Sequence, residues 1–398
     1  MPKYLNDLVV GIDVASEFSF AAVLCPDGSQ YRKPFKFSHN EDGFNYLIEQ
    51  IKKAEEEFAT KPVFFMESTG VYHLTLFHFL KDNKFETLVI NPLVTNSNKN
   101  KSIRKVKNDR FDALSIAKLG KYEDVKVSSD LDLNIFTLKL LIRDYYKLID
   151  DRSGYKKKLS SSLYISFSGY KDVFSDICGS VSINILKACP SPQAVLSAPK
   201  QDIMDILLCS RKGLKWAEKK YSKLMDCALN AQFISLPSSR LSISVTTCIS
   251  LYEAIDAEAA KLLREIECFI NSDEMPPALS KNILLLTSIP GIGYITAITI
   301  LAEIGSIDKF VTPKQLVAFF GVDPAVNESG KFKGDRMKMS KRGTRLGRRA
   351  LYAVALVAIM HKLIKYLFAV LRDQQEYQIR DPKLHQKMFL ENNSKQVA

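Results

Sequence analysis

Three short apolar runs near the amino end, Leu8–Val14, Phe18–Cys25 and Tyr31–Phe37, carry the spacing of β-strands, with Pro26-Asp27-Gly28 as the hairpin turn between the second and third. The period then switches between helix and strand: helix over Phe44–Phe58, strand over Pro62–Glu67, helix over Val71–Leu80, strand over Phe85–Ile90 and helix over Asp109–Leu119. From about Leu131 to Ser272, leucines and isoleucines recur at helical intervals among lysines and acids. Leu138, Leu140, Leu141, Tyr145 and Leu148 mark one long helix, suited to a plain spacer or to a coiled-coil arm that oligomerises or clamps nucleic acid. A third region begins near Pro276. There Ser288-Ile289-Pro290-Gly291-Ile292-Gly293 opens the apolar helix Tyr294–Ile304, and from about Gln374 the chain is polar and expected to be loosely ordered.

Three antiparallel strands followed by alternating helix and strand is the element order of the ribonuclease H fold. The expected architecture is an α/β ribonuclease-H-like domain over 1–128, an all-α helical or coiled-coil middle over 129–275, a mainly α-helical domain over 276–365 and a polar tail over 366–398. In that order Asp13 falls in the first strand and Glu67 at the end of the fourth, at one edge of the sheet. A charge inside such apolar runs is costly unless it is paired or holds an ion. Asp109 and Asp112 are three apart at the start of a helix and share one face. Four carboxylates repel one another and offer hard oxygen donors, which suits Mg²⁺ or Mn²⁺; two such ions about 4 Å apart can stabilise both oxygens of an in-line phosphoryl displacement. The ordinary alternatives are a lysine partner for Asp13 and a helix cap for Asp109. His73 and His78 are five apart, which is not the i, i+4 ligand spacing, and read as ordinary helix residues.

Composition sharpens this picture. Among 398 residues, 46% are hydrophobic and 25% charged, as in soluble globular proteins, and the net charge of +12 favours a polyanionic partner. The charge is concentrated between Lys331 and Arg349, where nine of nineteen residues are Lys or Arg against the single acid Asp335. A solvated face is the bland reading. Interleaving with Gly334, Gly343 and Gly347, where backbone can approach a phosphate, points instead to nucleic acid. The residues expected to contact it are Lys107, Lys331, Lys333, Arg336, Lys338, Lys341, Arg342 and Arg345, with Gly291 and Gly293 in a helix-hairpin-helix-like turn whose backbone N–H groups can hold a phosphate. Seven scattered cysteines without a CxxC pair read as reduced core residues. With no signal-peptide stretch and no apolar span, a cytoplasmic, nucleoid-associated protein is expected. Trp216, beside Arg211-Lys212-Gly213-Leu214-Lys215, identifies no chemistry.

Taken in order, Gly11-Ile12-Asp13-Val14-Ala15, Glu67-Ser68-Thr69-Gly70, Lys107-Asn108-Asp109-Arg110-Phe111-Asp112-Ala113, Ile289-Pro290-Gly291-Ile292-Gly293 and Ser329-Gly330 resemble the DEDD transposases of the "one-ten" family of bacterial insertion sequences, relatives of the Piv DNA invertases. The resemblance runs over roughly residues 8 to 360 and implies a RuvC-like domain, a helical middle and a C-terminal transposase domain. It further implies that Asp13, Glu67, Asp109 and Asp112 form a catalytic metal-binding tetrad, and that Ser329 attacks DNA to form a covalent phosphoserine link. The partners implied are double-stranded DNA, a noncoding guide RNA from the same element, and further copies of the chain in a dimer or tetramer. The middle region here is longer and lysine-rich, so contacts there do not transfer.

Three rivals stand beside this. Gly11-Ile12-Asp13-Val14-Ala15-Ser16 also resembles the first phosphate loop of actin-like sugar kinases, but no second Asp-Gly-Gly-type loop follows. A Holliday-junction endonuclease would use water and need no serine, with Ser340 the nearest competitor of Ser329 if a serine is used. A non-catalytic nucleic-acid-binding module would need none of the acids.

Overall fold

A computed structural model of the chain describes residues 2–68, 70–90, 109–124, 127–128, 132–210, 212–236, 240–323, 328–329, 332–333, 339–354 and 357–379. Lys107, Lys331, Gly334, Arg336 and Lys338 therefore lie outside the described residues. The chain divides into two compact units, residues 1–131 and 132–398.

The first unit is a mixed sheet with helices on both faces. Its elements are β1 (Leu8–Asp13), β2 (Phe18–Leu24), β3 (Phe35–Ser38), α1 (Glu41–Phe58), β4 (Pro62–Glu67), α2 (His73–Asp82), β5 (Glu86–Ile90), α3 (Asp109–Tyr122) and β6 (Val127–Ser128). The spatial order is β3-β2-β1-β4-β5-β6, with β4 parallel to both β1 and β5 and the other pairings antiparallel. This matches the expected ribonuclease-H-like order. Two details differ. The strand expected over Tyr31–Phe37 starts only at Phe35, because Pro34 has no N–H for a ladder, and the two-residue β6 has no signal of its own. The turn closes as expected, with the Gly28 N–H donating to the Cys25 carbonyl at 2.9 Å.

Strand alternation sorts side chains onto two faces. Leu8, Val10, Ile12, Phe64 and Met66 pack with Leu47 and Ile51 of α1 and Leu76 and Leu80 of α2. Val9, Val63, Phe65, Leu88 and Ile90 pack with Ile116, Ala117 and Leu119 of α3. The approach of α3 to β1 requires glycine. A Cβ on Gly11 would fall 2.2 Å from the Ala117 nitrogen and 2.4 Å from the Ala113 oxygen, so backbone packs on backbone. At the far end of α3, Lys121 is 1% exposed and donates to the Asp7 carbonyl at 2.8 Å.

The second unit is mostly helical. It comprises α4 (Leu133–Ser166), α5 (Tyr170–Val173), α6 (Ser180–Ala188), α7 (Pro192–Ser197), α8 (Lys200–Leu208), α9 (Leu214–Ile234), α10 (Leu241–Ile270), α11 (Pro277–Thr287), α12 (Tyr294–Ile304), α13 (Pro313–Phe320), a hairpin of β7 (Glu328–Ser329) and β8 (Phe332–Lys333), α14 (Arg345–Val354) and α15 (Val357–Asp373). Helices α4 and α10 form an antiparallel rod: Ser162 meets Ser244 near one end, Arg152 pairs with Asp256 midway, and Leu138 packs with Ile266 and Ile270 at the other. The rod joins two cores. One holds Leu159, Leu163, Val245 and Ile249 with α5 to α9; the other holds Leu138, Ile142, Ile266 and Ile270 with α11 to α15. The expected division near residue 275 thus separates sequence regions rather than cores.

Helix α15 also runs through the boundary expected at 365, because Leu363, Ile364, Leu367, Phe368 and Leu371 keep one buried stripe to its end. Beyond it, the Tyr377 N–H donates to Ser288 Oγ at 2.7 Å, so the described start of the polar tail is docked. Among the described residues no single helix is long and apolar enough to cross a membrane. All seven cysteines are free thiols; four are buried as expected, Cys227 is half-buried, and Cys209 and Cys268 are exposed because each sits on the outer side of its helix end.

Candidate active site

Register and helix direction bring the amino-terminal acids to one edge. Ile12 pairs with Met66 across the parallel β1–β4 ladder, so the next residues, Asp13 and Glu67, end their strands side by side. Both follow the alternation of Gly11 and Phe65 and belong to the α3 face. Helix α3 runs opposite to β1, from Lys121 over Asp7 back past Ala117 and Ala113 over Gly11. Its first turn, with Asp109 and Asp112, therefore reaches the level of Asp13. An independent contact places it there: the Arg110 guanidinium lies 5.9 Å from the ring centroid of Phe20, the residue paired with Asp13 on β2.

The four acids differ in environment. Glu67 is 8% exposed, and among the described residues its carboxylate has no hydrogen bond and no ion pair. Asp13 and Asp112 are half-buried and Asp109 is exposed at the helix start. Among the described residues no three His, Cys, Asp or Glu side chains converge into a ready metal cluster. The donor set nevertheless fits a hard divalent cation, because all four side chains offer the carboxylate oxygens that such an ion prefers. Next to this edge His73, at the start of α2, is also 8% exposed, with Nδ1 unpartnered among the described residues; burial holds its pKa below the ordinary imidazole value, a shift the nearby Gly70 carbonyl only partly offsets. Sequence spacing made His73 an ordinary helix residue. Its burial is a tertiary property. His78 is exposed and sits 2.8 Å from Asp82.

In the second unit, Ser329 stands on the β7–β8 hairpin with Phe332 as its cross-strand partner. The stem below it is tightly fastened. The Ser340 N–H donates to the Asp323 carbonyl at 2.8 Å, the Ser340 hydroxyl donates to Asp323 Oδ1 at 2.6 Å, and the Lys341 N–H donates to the Gly321 carbonyl at 3.0 Å. Gly321, at φ +63°, lies so close to Gly343 that a Cβ would stand 2.4 Å from its nitrogen. Under the stem a buried carboxylate organises cations: Glu303, 4% exposed, takes Arg143 at 3.0 Å and Lys139 at 3.3 Å. Burial pushes the Glu303 pKa up, but the Arg143 hydrogen bond, the Lys139 charge and the Thr344 hydroxyl outweigh it and hold the group below the ordinary carboxylate value. Thr344 in turn caps α14 by accepting from the Gly347 N–H at 3.2 Å.

The basic stretch divides by role. Lys341, Arg342 and Arg345 are exposed, and Lys333 is placed on β8 by its backbone. Arg348 instead donates to the Phe320 and Gly343 carbonyls at 3.0 and 2.7 Å, and Arg349 pairs with Asp150 at 2.8 Å and stacks 4.6 Å from the Tyr146 ring. These two are ties within the unit, and composition alone had grouped them with the rest. In the turn before α12, Gly291 adopts φ +91°, whereas Gly293 is exposed with nothing within 4 Å of a Cβ position, leaving its backbone open to a ligand.

Comparison with known proteins follows the same two regions. Residues 10–168 match a family of DEDD-type proteins described as "Transposase", and residues 284–368 match "Transposase IS116/IS110/IS902 family". The chain is 24% identical over 227 residues to the Insertion element IS110 uncharacterized 43.6 kDa protein of Streptomyces coelicolor, covering 50% of this chain and 53% of that protein. It is 28% identical over 166 residues to the Transposase for insertion sequence element IS1111A of Coxiella burnetii, covering 40% of this chain and 45% of that one. The matched segments thus span about half the length of these relatives.

Proposed function

Because this chain belongs to the IS110-type family of insertion-sequence transposases, we propose that it is the DNA-cutting and rejoining enzyme of such an element, working through the carboxylate edge of its first unit and Ser329 of its second. The observation that carries this reading is Glu67, a buried carboxylate without a partner among the described residues, beside Asp13 and under the first turn of α3. An Mg²⁺ or Mn²⁺ ion, when bound, would supply the positive charge that a scissile phosphate needs at this edge. Asp13, Glu67, Asp109 and Asp112 would hold it.

Ser329 is the nucleophile. Its hydroxyl passes a proton to a neighbouring base as Oγ bonds to phosphorus; the bridging oxygen of the cut strand leaves and takes up a proton as a free hydroxyl. A hydroxyl of the recombining strand then attacks the same phosphorus and releases the serine, so the phosphodiester is conserved and no nucleotide is consumed. The Ser340 hydroxyl is already committed to Asp323, which favours Ser329 over it. Lys341, Arg342 and Arg345, with Lys107, Lys331, Lys333, Arg336 and Lys338, grip flanking phosphates, and the Gly291–Gly293 turn offers backbone N–H groups to another. Selection of sites is assigned to a noncoding guide RNA, and the acids of one subunit act with the serine of another in a dimer or tetramer.

The test is to incubate the protein with Mg²⁺, the RNA and the DNA ends of its element, then to look for a protein–DNA adduct that survives denaturant. Ser329→Ala should abolish the adduct, and Asp13→Asn should abolish cleavage while DNA binding persists. An adduct on any other residue, or undiminished cutting by Ser329→Ala as expected of a water-using junction nuclease, overturns the serine mechanism.

A further inference from the structure

Helix α9, in the lobe inserted into the α4–α10 rod, presents a second concentration of positive charge outside the basic stretch at 331–349. Lys215, Lys219 and Lys223 recur every fourth residue along one exposed face, a rise of about 6 Å per step. Lys212, exposed just before the helix, places its ammonium 5.1 Å from the ring centroid of Trp216. Lys220 stands 6.0 Å from the same ring and 5.3 Å from that of Phe174, and donates to the Val173 carbonyl. The aromatic rings thus brace ammonium groups that remain at the surface.

These cations lack the counter-charges that Lys156 and Lys187 of the same lobe possess. Lys156 pairs with Asp176 at 2.8 Å and Lys187 with Glu253 at 2.7 Å. Among the described residues none of the five α9-region lysines forms an ion pair, although Glu218 and Asp226 lie on the same helix. The pKa of Lys220 is lowered by burial first and then by the charges of Lys223, Lys212 and Lys219, which places each of those three within electrostatic range of Lys220. Neighbouring unpaired ammoniums of this kind are stabilised by a polyanion that supplies several negative charges at regular intervals.

We propose that this face of α9 is a separate nucleic-acid contact surface that binds the sugar–phosphate backbone without reading sequence. It rests on the reading of the chain as a nucleic-acid enzyme and adds a point of contact distant in sequence from both catalytic regions. The surface holds the duplex in register while the acids and Ser329 carry the chemistry.

The experiment uses the full chain and measures affinity for arbitrary-sequence duplex DNA and for duplex RNA over a series of salt concentrations. The variant Lys212→Gln/Lys215→Gln/Lys219→Gln/Lys223→Gln should bind more weakly, and the slope of log affinity against log salt should become shallower by about 0.9 for each lost duplex-DNA contact, about 3.6 for all four. The four corresponding Lys→Arg changes should restore the slope. A control removing the same charge at exposed Lys52, Lys53, Lys61 and Lys84 should leave it near wild type. Loss on DNA, on RNA or on both supports the proposal and identifies the polymer. An unchanged slope on both, or an equal loss in the control, overturns it. Adduct formation by the wild-type protein is scored separately, so failure of the catalytic reading is distinguished from failure of this surface.

Discussion

Gly11→Ala is the most direct probe of how the carboxylate edge is assembled. The new methyl would stand 2.2 Å from the Ala117 nitrogen and 2.4 Å from the Ala113 oxygen, against an ordinary contact of 3.4 Å or more. Neither obstacle is a flexible side chain. Helix α3 must therefore retreat from β1 by about 1 Å, an overpacking that costs on the order of 1–3 kcal/mol. The corresponding fall in melting temperature is roughly 5–10 °C. The same retreat carries Asp109 and Asp112 away from Asp13 and Glu67, and a misplacement of about 1 Å at a reacting centre can cost about 100-fold in rate. Thermal unfolding would measure the first effect and the rate of adduct formation the second. Gly154→Ala serves as the control, since nothing lies within 4 Å of a Cβ on that glycine of α4, and alanine there should stabilise by about 0.5–1 kcal/mol. Wild-type melting and wild-type rate for Gly11→Ala would refute the close packing of α3 on β1, and with it the route by which the acids are gathered.

Glu67→Gln should abolish the rise in melting temperature that Mg²⁺ or Mn²⁺ gives the wild type, worth about 2.7 kcal/mol at 100-fold excess over Kd; a metal shift retained in the variant counts against Glu67 as a ligand. Glu303→Ala should destabilise the second unit by about 3–5 kcal/mol, since Arg143 and Lys139 lose their shared partner. Because the folded-state pKa of Glu303 is depressed, its contribution is present above the unfolded value and is lost as pH falls through the folded one; denaturant titrations should show a flatter acid limb for Glu303→Gln, and identical limbs would contradict the assignment. Ser340→Ala should cost about 1–3 kcal/mol by opening the Asp323 stem while adduct formation at Ser329 continues, so complete loss of the adduct in a folded variant would make Ser340 the better nucleophile.

Much of the first unit was legible in the chain because strand and helix periods are local properties. Pro62–Glu67 was placed to the residue, and the helix at Asp109 began where expected. A conspicuous charge within an apolar run, as at Asp13, announces itself in sequence for the same reason: burial cost is a property of the residue and its immediate neighbours. The four candidate acids, the basic stretch and the family resemblance are visible in the sequence in that way.

The tertiary structure decided what depends on partners remote in sequence. That Lys121 is buried under the Asp7 carbonyl, that Glu303 gathers Arg143 and Lys139, and that Arg348 and Arg349 are internal ties follows from packing between elements, and no local pattern distinguishes a solvated arginine from a bonded one. The α4–α10 rod likewise shares its two ends between two cores, a division that residue order hides because helices far apart in sequence close against each other. Sequence therefore settled which residues carry charge and which stretches can form a helix or strand, since those are fixed by covalent chemistry and local backbone preference. Only the fold settled which charges are neutralised and which remain available, since that depends on the distance between groups the chain itself keeps apart.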